Sequence, residues 1–138
     1  MQTRQSRPFT VRLSERTERW IEREAKRTKL SKGALLQNLA EESIRMRRFP
    51  GLAFRGPEHD RRPWVIGTAL DVWEVVEAYK AMGMERLLGE GDLPATKVRL
   101  ALRYYEEYPE EIDQAIAENR RSDEEWRRLY PSVAPPVA

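Results

Sequence analysis

The 138-residue sequence contains no cysteine and a single histidine, His59. Without cysteine the chain can form neither a disulfide framework nor a thiol-based catalytic or zinc site. A single histidine also excludes any catalytic or metal-binding arrangement that needs two imidazoles. We therefore expect a protein of a reducing compartment that uses no metal and no cofactor and is not an enzyme.

Long apolar runs are also missing. No stretch approaches the ~18 apolar residues that a membrane-spanning helix requires, and residues 1–9 hold no apolar segment that could serve as a secretory signal. Hydrophobic residues make up 40% of the sequence and charged residues 35%, so a large single core is not expected. These features predict a soluble, cytoplasmic protein of one ordinary domain or two small ones.

The small net charge of +2 conceals a strong asymmetry along the chain. Residues 1–48 hold 13 Lys+Arg and 6 Asp+Glu, a net of +7, whereas residues 49–138 hold 12 and 17, a net of −5. A basic segment joined to an acidic one is typical of a protein whose two parts meet different partners, one of them nucleic acid.

The basic segment opens with the pattern of a strand. Apolar and polar side chains alternate over residues 8–13, which is the period of a half-buried β-strand. The apolar face holds Phe9, Val11 and Leu13, and the polar face holds Thr10 and Arg12.

Two helices are predicted after this strand, over residues 15–28 and 32–46, with Ser14 and Ser31 as their N-caps. The first helix is dense in arginine and glutamate at helical spacing, which is ordinarily a solvated, ion-paired surface. Its narrow apolar face consists of Thr17, Ile21 and Ala25 with Trp20 alongside, and the broader stripe of the second helix consists of Leu35, Leu36, Leu39, Ala40 and Ile44.

One strand and two helices in fewer than 50 residues cannot bury enough apolar surface to fold alone. The strand also lacks a partner within this segment, so its backbone groups would remain unpaired. Both problems disappear if two copies pair their strands antiparallel and interlock their helices. We therefore expect a homodimer.

The acidic segment begins with a linker and a β-hairpin within residues 47–68. Strand candidates at 52–55 and 64–66 flank the turn-rich residues 56–60. A helix is then predicted over 70–82, capped by Thr68 or Asp71 and stopped by Gly83, followed by a short turn of helix at 85–88 and a loop at 89–92. The next helix is predicted over 94–107 and is packed by Val98, Leu102 and Tyr105. The last begins at Pro109 and runs through Ile112 and Ile116 towards Tyr130, and residues 131–138 are expected to be disordered.

The stretch FTVRLSERTERWIEREAKRTKLSKGALLQNLAEE, residues 9–42, resembles the ribbon–helix–helix DNA-binding family. In that family two strands pair into a ribbon that enters the major groove. The resemblance implies that Thr10 and Arg12 contact base edges, that Arg7 lies close to the DNA backbone, and that Ser31, Lys32 and Gly33 bind phosphate through backbone N–H groups. The plainer alternative is that the polar side of the strand is only solvated. Arg16, Arg19 and Arg23 are expected to be solvated helix surface rather than DNA ligands.

The sequences GLAF (51–54), RPWVIGT (62–68) and VRLALRYYEEYPEEID (98–113) resemble a second family. It is a small winged-helix-like domain, first catalogued as of unknown function, in VapB-like antitoxins whose toxin is a PIN-type ribonuclease. The sequence departs from the family at residues 69–71, where Ala-Leu-Asp follows Gly-Thr. The resemblance implies a mostly α protein in which a ribbon–helix–helix domain forms an intertwined dimer and a winged-helix-like domain with a short β-hairpin follows.

Helix 94–107 places Thr96, Arg99 and Arg103 on a polar side, as a winged-helix recognition helix would. Glu106 and Glu107 follow directly, however, and the segment is acidic overall, so strong attraction to phosphate is not expected. We favour a solvated face in which Arg103 pairs with Glu107 at i, i+4. The domain then serves as a module that faces a toxin or supports the dimer.

The stretch NRRSDEEWRRLY, residues 119–130, is rich in the residue types that dominate protein interfaces. Resemblance to antitoxins implies that it wraps the toxin and directs basic side chains at the acidic metal site of the nuclease. The alternative, in which Trp126 packs onto its own domain, is equally open at this stage. The toxin-binding candidates are Arg120, Arg121, Trp126, Arg127, Arg128 and Tyr130, with Leu129 on the same helical side as the two aromatic residues.

These patterns predict three segments: 1–48 for DNA binding and dimerisation, 49–118 as the winged-helix-like domain, and 119–138 as a C-terminal extension. The expected function is the antitoxin of a type II toxin–antitoxin system, which represses its own operon by binding operator DNA and neutralises a PIN-type ribonuclease. One alternative is a stand-alone ribbon–helix–helix regulator with no toxin partner. A hydrolase that uses His59 and Asp60 is a weaker alternative, because a histidine in a hairpin turn without a second imidazole is usually not functional.

Overall fold

The computed structural model describes residues 7–131, and the chain divides into two compact units, Met1–Ser43 and Ile44–Ala138. The described residues form five α-helices and one two-stranded antiparallel sheet. The prediction of a mostly helical protein with a short hairpin is therefore confirmed. The expected disorder of the C-terminal end concerns residues that, apart from Pro131, lie outside the described range.

The two helices of the first unit begin and end where their capping residues dictate. Helix α1 spans Glu15–Thr28, and its N-cap Ser14 accepts a hydrogen bond from the Thr17 N–H at 3.2 Å. It ends at Lys29, which adopts a left-handed conformation with φ of 59°. Helix α2 spans Lys32–Arg48, and Ser31 Oγ accepts from the Ala34 N–H at 3.1 Å. Both predicted N-caps are confirmed, and α2 runs two residues further than predicted.

The core of the first unit is small. Three side chains are buried, Ile21 and Ala25 from α1 and Leu35 from α2, and three leucines pack around them. The remaining apolar residues of the predicted helix faces are exposed: Trp20 is 57% exposed, Leu39 42% and Ile44 57%, and Ala40 is exposed as well. The predicted stripe on α2 is therefore mostly uncovered in the single chain, because one pair of helices can bury only the side chains that face each other.

Residues 7–14, which include the predicted strand, form no strand in the single chain. Phe9 is 82% exposed and Val11 57%, while Leu13 packs against the core of the first unit. A strand needs a hydrogen-bonded neighbour, and the described part of this unit offers none. The strand thus stays a prediction that applies to a dimer.

The second unit begins with the predicted hairpin. Strand β1, Leu52–Arg55, pairs antiparallel with strand β2, Arg62–Val65, and a single 3-10 turn at Glu58–Asp60 lies between them. Strand β2 starts two residues earlier than predicted and contains Pro63, which stands opposite Phe54. The Val65 N–H bonds to the Leu70 carbonyl rather than to β1. The proline two residues earlier therefore faces away from the ladder, where its missing N–H costs no sheet hydrogen bond.

Helix α3, Val72–Glu90, starts at a capping box in which Asp71 and Glu74 bond to each other's backbone N–H. Gly83, with φ of 78° and ψ of 165°, interrupts it. The predicted stop at Gly83 is confirmed, and the second helical stretch contains the predicted turn of helix at 85–88 and runs on to Glu90, two residues into the predicted loop. Val75 of this helix is fully buried.

Helices α4, Ala95–Glu107, and α5, Pro109–Leu129, complete the core of the second unit. The predicted Ile112 and Ile116 are buried in α5. The predicted Val98, Leu102 and Tyr105 of α4 all pack at the core, Val98 fully buried and the other two partly buried, but the prediction omitted Ala101 and Tyr104, which are fully buried. The buried cluster consists of Phe49, Leu52, Val65, Val72, Val75, Val76, Leu87, Val98, Ala101, Tyr104, Ile112 and Ile116.

The last turn of α2 belongs to this second unit because two arginines tie it to α4 and α5. The Arg45 guanidinium donates to the Tyr104 hydroxyl at 2.7 Å and to Glu111 at 2.8 Å, and Arg48 pairs with Glu107. The boundary between the units therefore falls at residues 43 and 44 rather than after residue 48.

The expected Arg103–Glu107 pair is not formed, since Glu107 is held by Arg48. Helix α5 also passes residue 119 without a break, so the predicted extension continues the last helix of the unit.

Gly83 and Gly89 both lie in α3, and the positive φ of Gly83 predicts that substitution by alanine has different effects on stability at the two positions. We expect Gly83→Ala to destabilise the protein by about 1–3 kcal/mol, because a φ of 78° with a ψ of 165° is strained for any residue with a Cβ. Urea denaturation followed by circular dichroism measures the effect.

Gly89→Ala is the matched control, because Gly89 lies in the same helix and an added Cβ would meet no atom of the described chain within 4 Å. It should stabilise the protein by about 0.5–1 kcal/mol, as alanine is the better helix former. Equal effects of the two substitutions would contradict the assigned break.

Candidate nucleic-acid interface and partner surface

Three of the predicted DNA-binding residues lie in the segment that precedes α1. Thr10 and Arg12, predicted to contact bases, and Arg7, predicted to lie near the DNA backbone, are all exposed. Thus the structure leaves the three side chains accessible, on a segment whose apolar residues Phe9 and Val11 are exposed as well.

The predicted phosphate site at the start of α2 differs from expectation in one respect. The Lys32 ammonium lies 2.9 Å from Glu22 and 3.6 Å from Glu18, both on α1. The hydrogen bond from Lys32 lowers the pKa of Glu22, and the same bond raises the pKa of Lys32. Two carboxylates therefore already neutralise the lysine, which weakens its attraction for a phosphate.

The backbone at this helix start stays suited to an anion. The first turn of α2 contains no acidic residue, and a Cβ added at Gly33 would meet no described atom within 4 Å. Helix N-termini present free N–H groups and the positive end of the helix dipole. Ser31 and Gly33 can therefore approach a phosphate through their backbone, whereas Ser31 Oγ is occupied by its capping bond.

The polar side of α4 is exposed as predicted, at Thr96, Arg99 and Arg103. Lys97, one position further round the helix, donates instead to the Ile66 carbonyl at 2.8 Å and is half-buried. The exposed side thus contains two arginines, and the next turn continues into the acidic Glu106 and Glu107.

The last turns of α5 extend beyond the core of the second unit. Ile116 is the last buried residue of the helix, and Trp126, Leu129 and Tyr130 are 45%, 63% and 52% exposed. The Trp126 and Tyr130 rings contact each other with their centroids 5.3 Å apart. Trp126 therefore does not pack into the core of its own domain, which was the alternative to a partner-binding role.

The four predicted toxin-binding arginines do not form one cluster. At about 100° per residue, Arg121 and Arg128 lie on the side of α5 opposite the two aromatic rings, while Arg120 and Arg127 continue the line of Ile116. Arg127 is half-buried and the other three arginines are exposed. The structure brings the aromatic residues together and spreads the basic ones over two faces.

A cleft of about 540 Å³ lies between the hairpin connection and α5, and sequence reasoning missed it. It is lined on one side by His59 and Asp60 and on the other by Gln114 and Ser122. These residues are more than 50 positions apart, so no local pattern could have indicated it. Within residues 7–131, no group of three or more histidine, aspartate or glutamate side chains is placed to hold a metal ion.

Comparison with protein-family models, with curated proteins and with solved structures finds no match to this chain. No helix between residues 7 and 131 is both long and apolar enough to cross a bilayer.

The exposure of Trp126 predicts how its removal affects stability. Trp126→Ala should change the free energy of unfolding by no more than about 0.5 kcal/mol, because the side chain is outside the core. Ile112→Ala on the same helix should cost about 2–5 kcal/mol, since Ile112 is 1% exposed. Urea denaturation compares the two variants, and similar losses would show that the end of α5 packs against its own unit.

Proposed function

We propose that this protein is the antitoxin of a type II toxin–antitoxin system, a dimeric repressor that binds operator DNA and neutralises a PIN-type ribonuclease. The observation that carries the proposal is the uncovered apolar surface of the basic segment. Phe9, Val11, Trp20, Leu39 and Ile44 are all more than 40% exposed in the single chain. Scattered apolar residues are normal on a surface, but five within 36 residues favour an interface.

A second copy of the segment is the partner that this surface suits. Pairing residues 8–13 of two chains antiparallel satisfies the backbone groups of both strands and places Phe9 and Val11 against the partner. The exposed Leu39 then adds to a shared core. This is the ribbon–helix–helix arrangement, and the resemblance of residues 9–42 to that family supports it.

In such a dimer the polar faces of the two strands point outward together. Thr10 and Arg12 of both copies would enter the major groove, where arginine can bond a guanine edge bidentately and threonine can contact a thymine methyl. Arg7 and the backbone of Ser31 and Gly33 would contact phosphates, and the net charge of +7 over residues 1–48 would draw the dimer to DNA.

The second unit is the proposed partner-binding half. Resemblance of its motifs to an antitoxin domain supports this role, and the exposed pair of Trp126 and Tyr130 supplies the residue types that anchor protein interfaces. Arginines 120, 121 and 128 are exposed on the same helix and can reach the carboxylates of a nuclease metal site.

A stand-alone regulator is the competing function, since dimerisation and DNA binding require only the first segment. The two proposals differ in whether the chain binds the product of a neighbouring gene. Co-expression with that product and a pull-down through a tag on this chain distinguishes them, because a regulator without a toxin would recover nothing from its neighbour.

The DNA-reading proposal predicts that Arg12→Ala abolishes sequence-specific operator binding in a gel-shift assay and leaves the dimer intact. The reason is that the substitution removes the bidentate donor, worth about 1–3 kcal/mol of discrimination per contact, from both strands of the ribbon. Arg103→Ala, an exposed arginine of the other unit, is the control and should bind as the wild type does. Unchanged specificity of Arg12→Ala would refute the reading role of this strand.

The partner-binding proposal predicts that truncation after Glu118 preserves DNA binding and removes toxin neutralisation. The truncated chain keeps Ile112 and Ile116, the buried residues of α5, and loses the exposed aromatic pair. Growth rescue of cells expressing the toxin measures neutralisation, and the gel shift measures DNA binding. If the truncated chain still neutralised, the toxin contact would lie within residues 50–115.

A further inference from the structure

The face of α1 that points away from the core carries three arginines in a row. Arg16, Arg19 and Arg23 follow a spacing of three and four residues, which places them within about 60° of arc around the helix. Ile21 and Ala25, the buried residues of α1, are on the opposite side. All three arginines are exposed. We call them the α1 arginine stripe.

Three of the four acidic residues of α1 are directed away from this stripe. Glu18 and Glu22 face Lys32, and Glu24 forms a hydrogen-bonded ion pair with Arg27 at 2.8 Å. Across residues 7–131, no carboxylate lies within ion-pair distance of any arginine of the stripe. These three side chains are solvated as predicted, but the ion pairing predicted for this surface is not formed at them.

The stripe is also partly ordered. The Arg23 guanidinium lies over the Trp20 ring, 5.0 Å from its centroid. The two side chains line a shallow recess of about 260 Å³ together with Arg16 and Arg19. Because stacking restricts the rotamers of an arginine, less side-chain entropy is lost when such a guanidinium binds an anion.

We propose that the α1 arginine stripe is a phosphate-binding surface that contacts the backbone of the DNA flanking the bases read by Thr10 and Arg12. This rests on the proposed function, and it shifts the main side-chain phosphate contact of the domain from Lys32 to α1. A guanidinium binds phosphate bidentately through two parallel N–H groups, whereas the lysine ammonium acts as a point charge. The rise from Arg16 to Arg23 is about 10.5 Å, the axial length of about three phosphates of one strand.

Double-stranded DNA is favoured over an acidic protein surface because of where the stripe begins. Arg16 is separated by only three residues from Arg12, so a DNA strand that passes the reading segment comes next to the first turn of α1. The stripe also belongs to the segment with the net charge of +7, whereas residues 49–138 carry −5. A contact of this kind is independent of base sequence and acts through the release of counterions.

The test is the salt dependence of binding to a random-sequence 24-base-pair duplex, measured by fluorescence anisotropy with the full-length protein at 50–300 mM NaCl. In the triple variant R16A/R19A/R23A, the slope of log Kobs against log[NaCl] should fall in magnitude by up to about 2.7 per bound chain, 0.9 for each phosphate contact. Between 50 and 200 mM NaCl the wild type should therefore lose up to about 40-fold more affinity per chain than the variant.

Two further variants keep the test decisive. R16K/R19K/R23K retains the charge and should keep most of the slope, which separates phosphate binding from a structural role. R86A/R99A/R103A removes three exposed arginines from the second unit and should leave the slope unchanged, which controls for net charge. Alanine favours the helix, so circular dichroism should show α1 intact.

The proposal is overturned if the wild type binds the duplex and the alanine variant keeps its slope, or if the two controls lose as much as the alanine variant does. Loss of toxin co-purification at an unchanged slope would assign the stripe to an acidic protein instead. If the wild type itself shows no salt-dependent binding to the duplex, the proposed DNA-binding function fails, and this inference fails with it.

Discussion

The shortage of apolar surface in the first unit is the constraint on which the rest of the proposal depends. Ordering a residue costs about 1–2 kcal/mol of backbone entropy, and burying a large aliphatic side chain returns about 1.5–3 kcal/mol. Residues 7–43 bury only Ile21, Ala25 and Leu35. A partner surface must cover the exposed Phe9 and Leu39 if this segment is to be stable, and a second copy would cover them while giving residues 8–13 a neighbouring strand.

The second unit is built on the opposite principle, because it buries an apolar core of its own. Tyr104 lies at its centre, accepts from Arg45 and donates to Glu111 at 2.6 Å. Burial and the bond to Glu111 raise the pKa of Tyr104, while burial of Arg45 is outweighed by its bonds to Glu111 and Tyr104, which raise the pKa of the guanidinium. Arg45 therefore stays protonated and Tyr104 stays neutral over the whole physiological range. A scaffold of this kind can hold the end of α5 out in solvent.

The sequence was informative wherever a local signal decides the structure. Ser14 and Ser31 cap helices with side-chain oxygens that accept a hydrogen bond from the backbone N–H three residues further on, and Gly83 breaks α3 because only glycine adopts its conformation readily. It was less informative where distant groups compete. Lys32 was expected to bind a phosphate, but its ion pair with Glu22 depends on how α1 and α2 pack against each other. Glu107 was expected to pair with Arg103, but it pairs with Arg48 of α2, which is distant in sequence. The strand over residues 8–13 needs a second chain, so a single chain cannot test it.

The placement of the tryptophans gives the molecule built-in reporters. Trp20 is on the exposed side of α1 and Trp126 on the exposed end of α5, whereas Trp64 donates its indole N–H to the Thr68 carbonyl at 2.6 Å within the second unit. Indole emission shifts to shorter wavelength when water leaves the ring. Covering the first unit and covering the end of α5 therefore alter the fluorescence of different residues, and the emission spectrum can tell which surface a partner has occupied without any added label.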